Sequence, residues 1–251
     1  DIISLYGKRK KPSKKHLSDI DFIIIDIQDI GSSYYTYIST VTYMLESAAE
    51  NNIPVIILDR PNPIGKNVYG PIKSDNYFSF IGMHPIPIRH GMTIGELSLM
   101  INNEGWLKGN LKVEDIKIIK MREFSNQEEF HDWIPPCPNI PDIETAFIYN
   151  GTCLFEGTNI SEGRGTAYPF KWIGAPWIES NKLVDYIQTL NYESRIKVHQ
   201  IEFTPKSSKA AKNPKYENQV CYGISIDLDD SVQPIEFTLY LLEYFYKEYE
   251  Q

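Results

Sequence analysis

Two short apolar runs, each ending in aspartate, constrain the fold more than any other feature of the sequence. They are DFIIID at Asp21–Asp26 and IPVIILD at Ile53–Asp59, and their branched side chains are typical of buried strands. Between them, Tyr35–Asn51 has apolar residues at helical spacing. We therefore predict a strand–helix–strand unit with parallel strands. Ligands of such sheets bind beyond the carboxyl ends of the strands, which here are QDIGSSYY and RPNPIG.

The rest of the chain continues to mix helix and strand patterns, which predicts an α/β protein. Thr93 followed by Glu96 predicts a capping box that opens the helix ELSLMIN, and VEDIKIIKM predicts the next strand. The proline-rich WIPPCPNIPDIETAFIYN predicts a rigid loop and a short helix that starts near Asp142. The later predicted elements are a helix at Lys182–Leu190, strands at Ile196–Phe203 and Val220–Asp227, and a helix from Pro234.

Composition limits the classes of partner. The net charge of -8 and the pI near 5.2 argue against nucleic acid, because phosphate binding needs a net basic face. The basic stretch KRKKPSKKH at 8–16 is either a solvated loop or a contact for an anionic surface. The 17 tyrosines supply rings that stack on sugars. No apolar run is long enough to span a membrane, and 3 cysteines without CxxC spacing indicate neither a disulfide framework nor a zinc site.

Motifs for several other chemistries are incomplete. DIQDIGSSYY has one glycine where a dinucleotide-binding GxGxxG has three, and PNPIGK lacks the first glycine of a phosphate loop. Ser161 lacks the preceding glycine of a serine-hydrolase elbow. His84 and His90 would lie about 20 Å apart in an extended strand, too far to share a metal ion. We predict neither metal nor cofactor. Each histidine has a hydrogen-bonded structural role or a catalytic one, and His90 is the better functional candidate.

Carboxylates are concentrated at predicted strand ends and in loops. They are Asp26, Asp29, Asp59, Glu144, Glu156 and Glu162. Glycoside hydrolysis needs two such groups, and arginines such as Arg60 and Arg164 bind substrate carboxylates. The alternative role for each acid is a helix cap or an ion pair. Glu162 is the preferred functional candidate, because Gly163 and Gly165 allow close backbone approach.

Four long stretches of the sequence carry a family resemblance. They are DIQDIGSSYYTYISTVTYMLESAAE, VIILDRPNPIG, GMHPIPIRHGMTIGELSLMIN and PCPNIPDIETAFIYNGTCLFEGTNISEGRGTAYPFKWIGAPWI. In this order they resemble the bacterial exo-β-N-acetylmuramidases, NamZ-like glycoside hydrolases of peptidoglycan turnover. The resemblance implies a Rossmann-like parallel-sheet lobe at 1–135, a smaller α+β lobe at 136–251 and a cleft between them. It also implies release of N-acetylmuramic acid (MurNAc) from the non-reducing ends of peptidoglycan fragments, in a periplasmic or secreted setting.

The resemblance also assigns roles to residues, motif by motif. The implied catalytic carboxylates are Asp29, Glu144 and Glu162. The implied substrate-binding residues are Asp26, Gln28, Tyr35, Asp59, Arg60, Asn62, His90, Asn139, Glu156, Asn159 and Arg164. We expect Arg164 to bind the lactyl carboxylate that distinguishes muramic acid from glucosamine, and Glu156 to position ring hydroxyls. The rings that either stack on the sugar or pack in the core are Tyr34, Tyr35, Tyr168 and Trp172.

Departures from the family pattern leave alternatives open. Cys137 stands where serine is expected, and the upstream strand with its Pro-Glu-His-Gly motif is absent from these 251 residues. The sequence shows no signal peptide and opens on Asp1, so we expect a fragment that lacks both ends and one catalytic glutamate. The alternatives are a cell-wall carbohydrate-binding module without turnover and a nucleotide or phosphate enzyme. The oligomeric state stays open.

Overall fold

The structure is a computed structural model that describes residues 2–122 and 133–249. The chain divides into two compact parts, Asp1–Ile134 and Pro135–Gln251, which we call unit 1 and unit 2. Both combine helices with sheet, and the main sheet of unit 1 is parallel. The predicted α/β class is therefore confirmed, whereas the cleft between the lobes stays a prediction.

Unit 1 is built on a three-stranded parallel sheet. Its elements are β1 (Ile23–Ile25), α1 (Tyr37–Asn51), β2 (Val55–Asp59), β3 (Tyr69–Ile72), β4 (Pro87–Arg89), α2 (Ile94–Asn103) and β5 (Ile116–Lys120). The parallel sheet has the order β1–β2–β5, and β3 pairs with β4 in a separate antiparallel ribbon. The predicted strand–helix–strand unit is confirmed. Each of its three elements starts two residues later than predicted, at Ile23, Tyr37 and Val55.

The two faces of the parallel sheet differ in burial. Ile23 and Ile25 of β1, like Val55 and Ile57 of β2, pack with α1 and α2 in the core of unit 1. On the opposite face Ile24 is 54% exposed. The period of two along each strand therefore places one set of side chains in the core. The parallel pairing of β1 and β2 brings the chain beyond Ile25 and Asp59 to one edge of the sheet.

Unit 2 contains a three-stranded antiparallel sheet. Its elements are α3 (Ile143–Thr152), β6 (Trp172–Ala175), α4 (Ser180–Gln188), β7 (Ile196–Phe203), β8 (Cys221–Leu228) and α5 (Pro234–Glu248). The sheet order is β6–β8–β7, and Phe155 and Phe237 are among the fully buried side chains of this unit. The predicted helices and the strands β7 and β8 are present within two residues of their predicted starts. Strand β6 was not predicted.

Helix starts follow the predicted capping chemistry. The Thr93 hydroxyl accepts from the backbone N–H of Glu96, and the Glu96 carboxylate accepts from the backbone N–H of Thr93. Asp142 caps α3 by accepting from the backbone N–H of Thr145 at 2.6 Å. Among the described residues, no helix combines the length and apolarity needed to cross a membrane.

Candidate active site

The carboxyl end of β1 leads into a buried acid–histidine pair. Asp29 Oδ2 accepts from the backbone N–H of Gly31 at 2.8 Å and lies 3.3 Å from His90 Nε2. His90 Nδ1 accepts from the backbone N–H of Met92 at 3.2 Å, so neutral His90 carries its proton on Nε2 and donates to Asp29. Asp29 and His90 are 5% and 3% exposed. Within the described part of the chain, Asp29 Oδ1 has no hydrogen-bond partner.

The amide side chains of Gln28 and Asn62, two predicted substrate-binding residues, hold the loops around this pair. Gln28 Nε2 donates to the backbone carbonyls of Asp29 and Pro61 at 2.7 and 3.1 Å. Asn62 Oδ1 accepts from the backbone N–H of Ile64, and its Nδ2 donates to the backbone carbonyl of Met92. The loops after β1, β2 and β4 are thereby tied together. Both side chains fix backbone in this structure, and their predicted contacts with substrate stay predictions.

Asp26 and Arg60 form an ion pair at the ends of neighbouring strands. Arg60 donates to both carboxylate oxygens, from Nε at 2.6 Å and from Nη2 at 3.1 Å. The hydrogen bond to Asp26 raises the pKa of Arg60 against the opposing effect of burial. The side chains of Arg60 and Asp26 are 30% and 44% exposed, so this bidentate pair meets solvent. For Asp26, the ion pair that was the alternative to a role in substrate binding is therefore present. The pair keeps two charged, solvent-accessible side chains at the edge of the sheet.

Asp59 has both carboxylate oxygens engaged by helix α2. Oδ2 accepts from the Thr93 hydroxyl at 2.9 Å, and Oδ1 accepts from the backbone N–H of Gly95 at 2.8 Å. The side chain is 7% exposed. A buried carboxylate at a helix amino terminus satisfies orphan N–H groups and complements the helix dipole. The helix-cap alternative for Asp59 is therefore present in the structure.

Two ring-bearing candidates of unit 1 are buried. The ring of Tyr35 is 8% exposed and lies 4.8 Å, centroid to centroid, from that of Tyr37. His84 lies 2.7 Å from the Thr42 hydroxyl and stacks on Trp106. Burial lowers the pKa of His84 to about 4, so the ring is neutral near pH 7. Of the two roles considered for His84, structural and catalytic, the structure shows the hydrogen-bonded structural one.

The candidate site of unit 2 centres on a buried ion pair. Glu162 is 5% exposed, and its Oε2 accepts from Lys215 Nζ at 3.0 Å. Glu162 belongs to a tight turn in which Gly163 and Gly165 have φ of +75° and +84°, values that favour glycine. The predicted close backbone approach at these glycines is confirmed, because a Cβ at Gly165 would lie 2.7 Å from the Lys206 carbonyl oxygen.

Glu156 and Arg164 pair across the glycine-rich turn. Arg164 Nη1 donates to Glu156 Oε1 at 2.8 Å, and the two side chains are 35% and 39% exposed. Asn159 is also on the surface, where its backbone carbonyl accepts from the Tyr216 hydroxyl at 2.6 Å. Asn139 Nδ2 donates to the Ala210 carbonyl at 2.9 Å. The turn thus places an accessible guanidinium beside a carboxylate.

Glu144 differs from the other predicted catalytic acids. It lies in the first turn of α3, its side chain is 73% exposed, and it accepts from Lys171 Nζ at 2.6 Å. Lys171 Nζ also lies 3.2 Å from Asp142. Burial alone would raise the pKa of Asp142, but the hydrogen bonds from Thr145 and the charge of Lys171 hold it below its ordinary value. Glu144 is thus an exposed member of a helix-cap network.

Metal ligands do not cluster among the described residues, and two of the three cysteine thiols have raised pKa values. No group of three or more histidine, cysteine, aspartate or glutamate side chains there could hold a metal ion. Burial raises the pKa of Cys153 to about 12, with a smaller contribution from the charge of Glu156, and burial raises the pKa of Cys221 to about 11. Both thiols are therefore protonated near pH 7 and are poor nucleophiles.

Family models account for nearly all of the chain. The model described as "Exo-beta-N-acetylmuramidase NamZ, N-terminal" matches residues 1–144, and its C-terminal counterpart matches residues 147–251. The chain belongs to the NamZ family. The resemblance seen in the sequence motifs is confirmed.

Individual relatives align over most of the chain. The peptidoglycan beta-N-acetylmuramidase NamZ of Bacillus subtilis (strain 168) is 42% identical over 234 residues, which are 91% of this chain and 54% of the relative. The chain therefore spans about half the length of this curated relative. Crystal structures of two DUF1343 family proteins from Bacteroides fragilis NCTC 9343 also match. One has a TM-score of 0.83 at 33% identity, covering 97% of this chain and 63% of the other. The second has a TM-score of 0.76 at 36% identity, covering 94% and 62%.

The structure adds partners that are not among the predicted site residues. Lys215, Tyr216 and Lys171 contact predicted site residues, yet none was selected from the sequence. Lys215 is one of 4 lysines between residues 206 and 215, so composition alone could not single it out. The only signal available was its position in KNPKYEN, where proline and two asparagines predict a shaped loop.

Proposed function

We propose that the full protein containing this chain is an exo-β-N-acetylmuramidase that releases MurNAc from the non-reducing ends of peptidoglycan fragments. Membership of the NamZ family and 42% identity to the B. subtilis peptidoglycan β-N-acetylmuramidase support the proposal. The structural observation that carries it is a buried carboxylate in each unit: Asp29 in unit 1 beside His90, and Glu162 in unit 2 beside Lys215. Because its substrate lies outside the cytoplasmic membrane, we propose a periplasmic or secreted location.

The proposed chemistry assigns Asp29 and Glu162 different tasks. Lys215 stabilises negative charge on Glu162, which suits a base that orients water or a group that stabilises positive charge on the sugar. Asp29 receives hydrogen bonds on Oδ2 alone, and its Oδ1 has no protein partner within residues 2–122 and 133–249. That buried oxygen has no donor among the described residues, so it can take up a proton in transfer. Glu144, at 73% side-chain exposure, is the weaker candidate.

Recognition of muramic acid is proposed for the charged groups at the surface. Arg164 is 35% exposed and paired at one nitrogen with Glu156, so its remaining donors are placed to bind the lactyl carboxylate. Arg60 is held by Asp26 through two nitrogens, Nε and Nη2, and is the equivalent candidate in unit 1. The ring of Tyr168 is 50% exposed beside Trp172 and offers a surface for stacking on the sugar.

The test is release of MurNAc from the disaccharide MurNAc-β-1,4-GlcNAc. It compares the 251-residue chain with a protein extended to the full length of the B. subtilis relative. We expect the full-length protein to release MurNAc and to lose most of that activity on Glu162→Gln or Asp29→Asn. Disaccharide binding without release by either protein would instead establish the non-catalytic carbohydrate-binding module. Stabilisation by NAD or ATP but not by the disaccharide would favour the nucleotide enzyme.

Arg164→Ala tests the assignment of the lactyl carboxylate. We expect this variant to lose roughly tenfold or more in kcat/KM for the MurNAc disaccharide, because a charge-assisted pair contributes about 1.5 to 3 kcal/mol. Activity on a matched GlcNAc-β-1,4-GlcNAc substrate, which has no lactyl group, should change little. Arg195→Ala, at an exposed arginine elsewhere in unit 2, is the control. Equal losses on both substrates would remove the assignment.

A further inference from the structure

The segment between β7 and β8, residues 204–220, packs on the glycine-rich turn, and one of its lysines, Lys215, makes several of the contacts. Lys215 Nζ donates to the backbone carbonyls of Phe155 and Ile160 at 2.6 and 2.9 Å, and to Glu162 Oε2 at 3.0 Å. An ammonium group has three protons, so these three acceptors use all of its donors. One side chain thereby joins two backbone positions of the turn to the carboxylate that follows them.

The same segment, which we call the β7–β8 segment, contacts the turn at further points. The hydroxyl of Tyr216 donates to the Asn159 carbonyl at 2.6 Å and accepts from Trp177 Nε1 at 3.1 Å. The backbone N–H of Lys206 donates to the Gly165 carbonyl at 2.9 Å. The glycine-rich turn is therefore held from Phe155 to Gly165 by a segment about 50 residues further along the chain.

The charge and burial of these groups distinguish Lys215 from an ordinary surface partner. Glu162 has a side-chain exposure of 6% and Lys215 one of 27%, so their ion pair is largely shielded from water. Hydrogen bonds between charged groups are strong and directional in such an environment. If the lysine were removed, the carboxylate would lose its charged partner, and two carbonyls would lose a donor.

We infer that Lys215 is a positioning residue that sets the orientation and charge environment of the Glu162 carboxylate and closes the turn that presents it. This inference rests on the proposed catalytic role of Glu162. It assigns to the β7–β8 segment a part in the reaction that none of the motif residues supplies. The lysine acts through Glu162, so its effect on turnover disappears when Glu162 is already disabled.

The test uses Lys215→Met in the full-length protein, which keeps the apolar stem and removes the charge. Lys212→Met, at an exposed lysine of the same segment, is the matched control. We expect Lys215→Met to lower kcat on the order of 10-fold to 100-fold, by analogy with the loss found when partners that orient metal ligands are removed, with a smaller change in KM. Lys215→Arg should recover part of kcat, because it restores the charge.

A double-variant cycle separates positioning from general destabilisation. Lys215→Met combined with Glu162→Gln should be no less active than Glu162→Gln alone, within a factor of about two. Losses that multiply would show that Lys215 does not act through Glu162 and would overturn the inference. So would full kcat in Lys215→Met.

Hydrogen exchange of residues 155–165 provides a measurement that does not depend on activity. Amides of this turn should exchange faster in Lys215→Met than in the unmodified protein or in Lys212→Met. If the unmodified protein releases no MurNAc, the proposed function fails, while the exchange measurement still tests the lysine contact. Unchanged exchange in Lys215→Met would overturn the inference whatever the activity.

Discussion

Replacing Asp59 by asparagine tests whether this motif residue serves the fold or the substrate. The residue ends β2 and belongs to DRPNP, which resemblance to the family places among substrate-binding residues. In the structure its two oxygens accept from the Thr93 hydroxyl and the Gly95 backbone N–H at the start of α2. In the asparagine variant, the single carbonyl oxygen of the amide can accept from only one of these two donors. The NH₂ group of the amide would then face the other donor.

The expected cost follows from these contacts. Hydrogen bonds to a charged group contribute about 1.5 to 3 kcal/mol each, and a carboxylate at a helix amino terminus adds about 0.3 to 1 kcal/mol. Asp59→Asn keeps one hydrogen bond without its charge, so we expect a loss of about 3 kcal/mol in the free energy of unfolding. With a urea m-value of about 2 kcal/mol/M, the midpoint of unit 1 should fall by about 1.5 M.

The assay is urea unfolding followed by circular dichroism, together with titration of the MurNAc disaccharide. Trp106 packs against the core of unit 1 and supplies a fluorescence signal for that unit. Asp21→Asn, at an exposed aspartate before β1, is the control and should leave the midpoint unchanged. A wild-type midpoint for Asp59→Asn, combined with weaker disaccharide binding, would refute the helix-cap reasoning and support the substrate role.

Two further changes test packing and protonation. Gly151→Ala would place a Cβ 2.0 Å from the Pro234 carbonyl oxygen, so α3 and α5 must separate. The free energy of unfolding should fall by about 1 to 3 kcal/mol, and calorimetry should show a Tm several degrees lower. Gly157→Ala is the control, since its Cβ meets nothing within 4 Å, and an unchanged Tm for Gly151→Ala would contradict the close packing. His84 has a folded-state pKa of about 4, below its ordinary value of 6.5. Between these two pH values the unfolded chain binds more protons than the folded chain, so the free energy of unfolding falls as pH drops from about 6.5 to about 4. His84→Gln should remove up to about 3 kcal/mol of the difference between urea unfolding at pH 7 and pH 4.5. A wild-type pH dependence in His84→Gln would exclude His84 as its source.

The elements predicted correctly from the sequence are those that local chemistry determines. Apolar runs bounded by aspartate predict β1 and β2, and the capping box of Thr93 and Glu96 predicts the start of α2. Strand β6 was missed because WIGA has four residues and a glycine. It is a strand because Gly174 pairs with Gly223 of β8, where a Cβ on Gly223 would meet the Ile173 carbonyl at 1.9 Å. Such pairing has no local signature.

The candidate site shows the same division between local and distant causes. Resemblance to the family selected Glu162, and the neighbouring glycines favoured it independently. Its cation could not be predicted, because Lys215 lies 53 residues away and resembles the other lysines of its segment. The sequence supplies the acid of the pair, and only the fold supplies the cation.

Asp29 and Asp59 look equivalent in the sequence but differ in how many of their carboxylate oxygens accept hydrogen bonds. Asp59 ends β2 and Asp29 lies four residues beyond the end of β1, and both belong to family motifs. Asp59 has both oxygens occupied by α2, whereas Asp29 has one oxygen with no partner among the described residues. A buried carboxylate oxygen without a protein donor is costly unless a ligand or a proton meets it, while a fully bonded one already stabilises the fold. Substitution at Asp29 should therefore act first on turnover, and substitution at Asp59 first on stability.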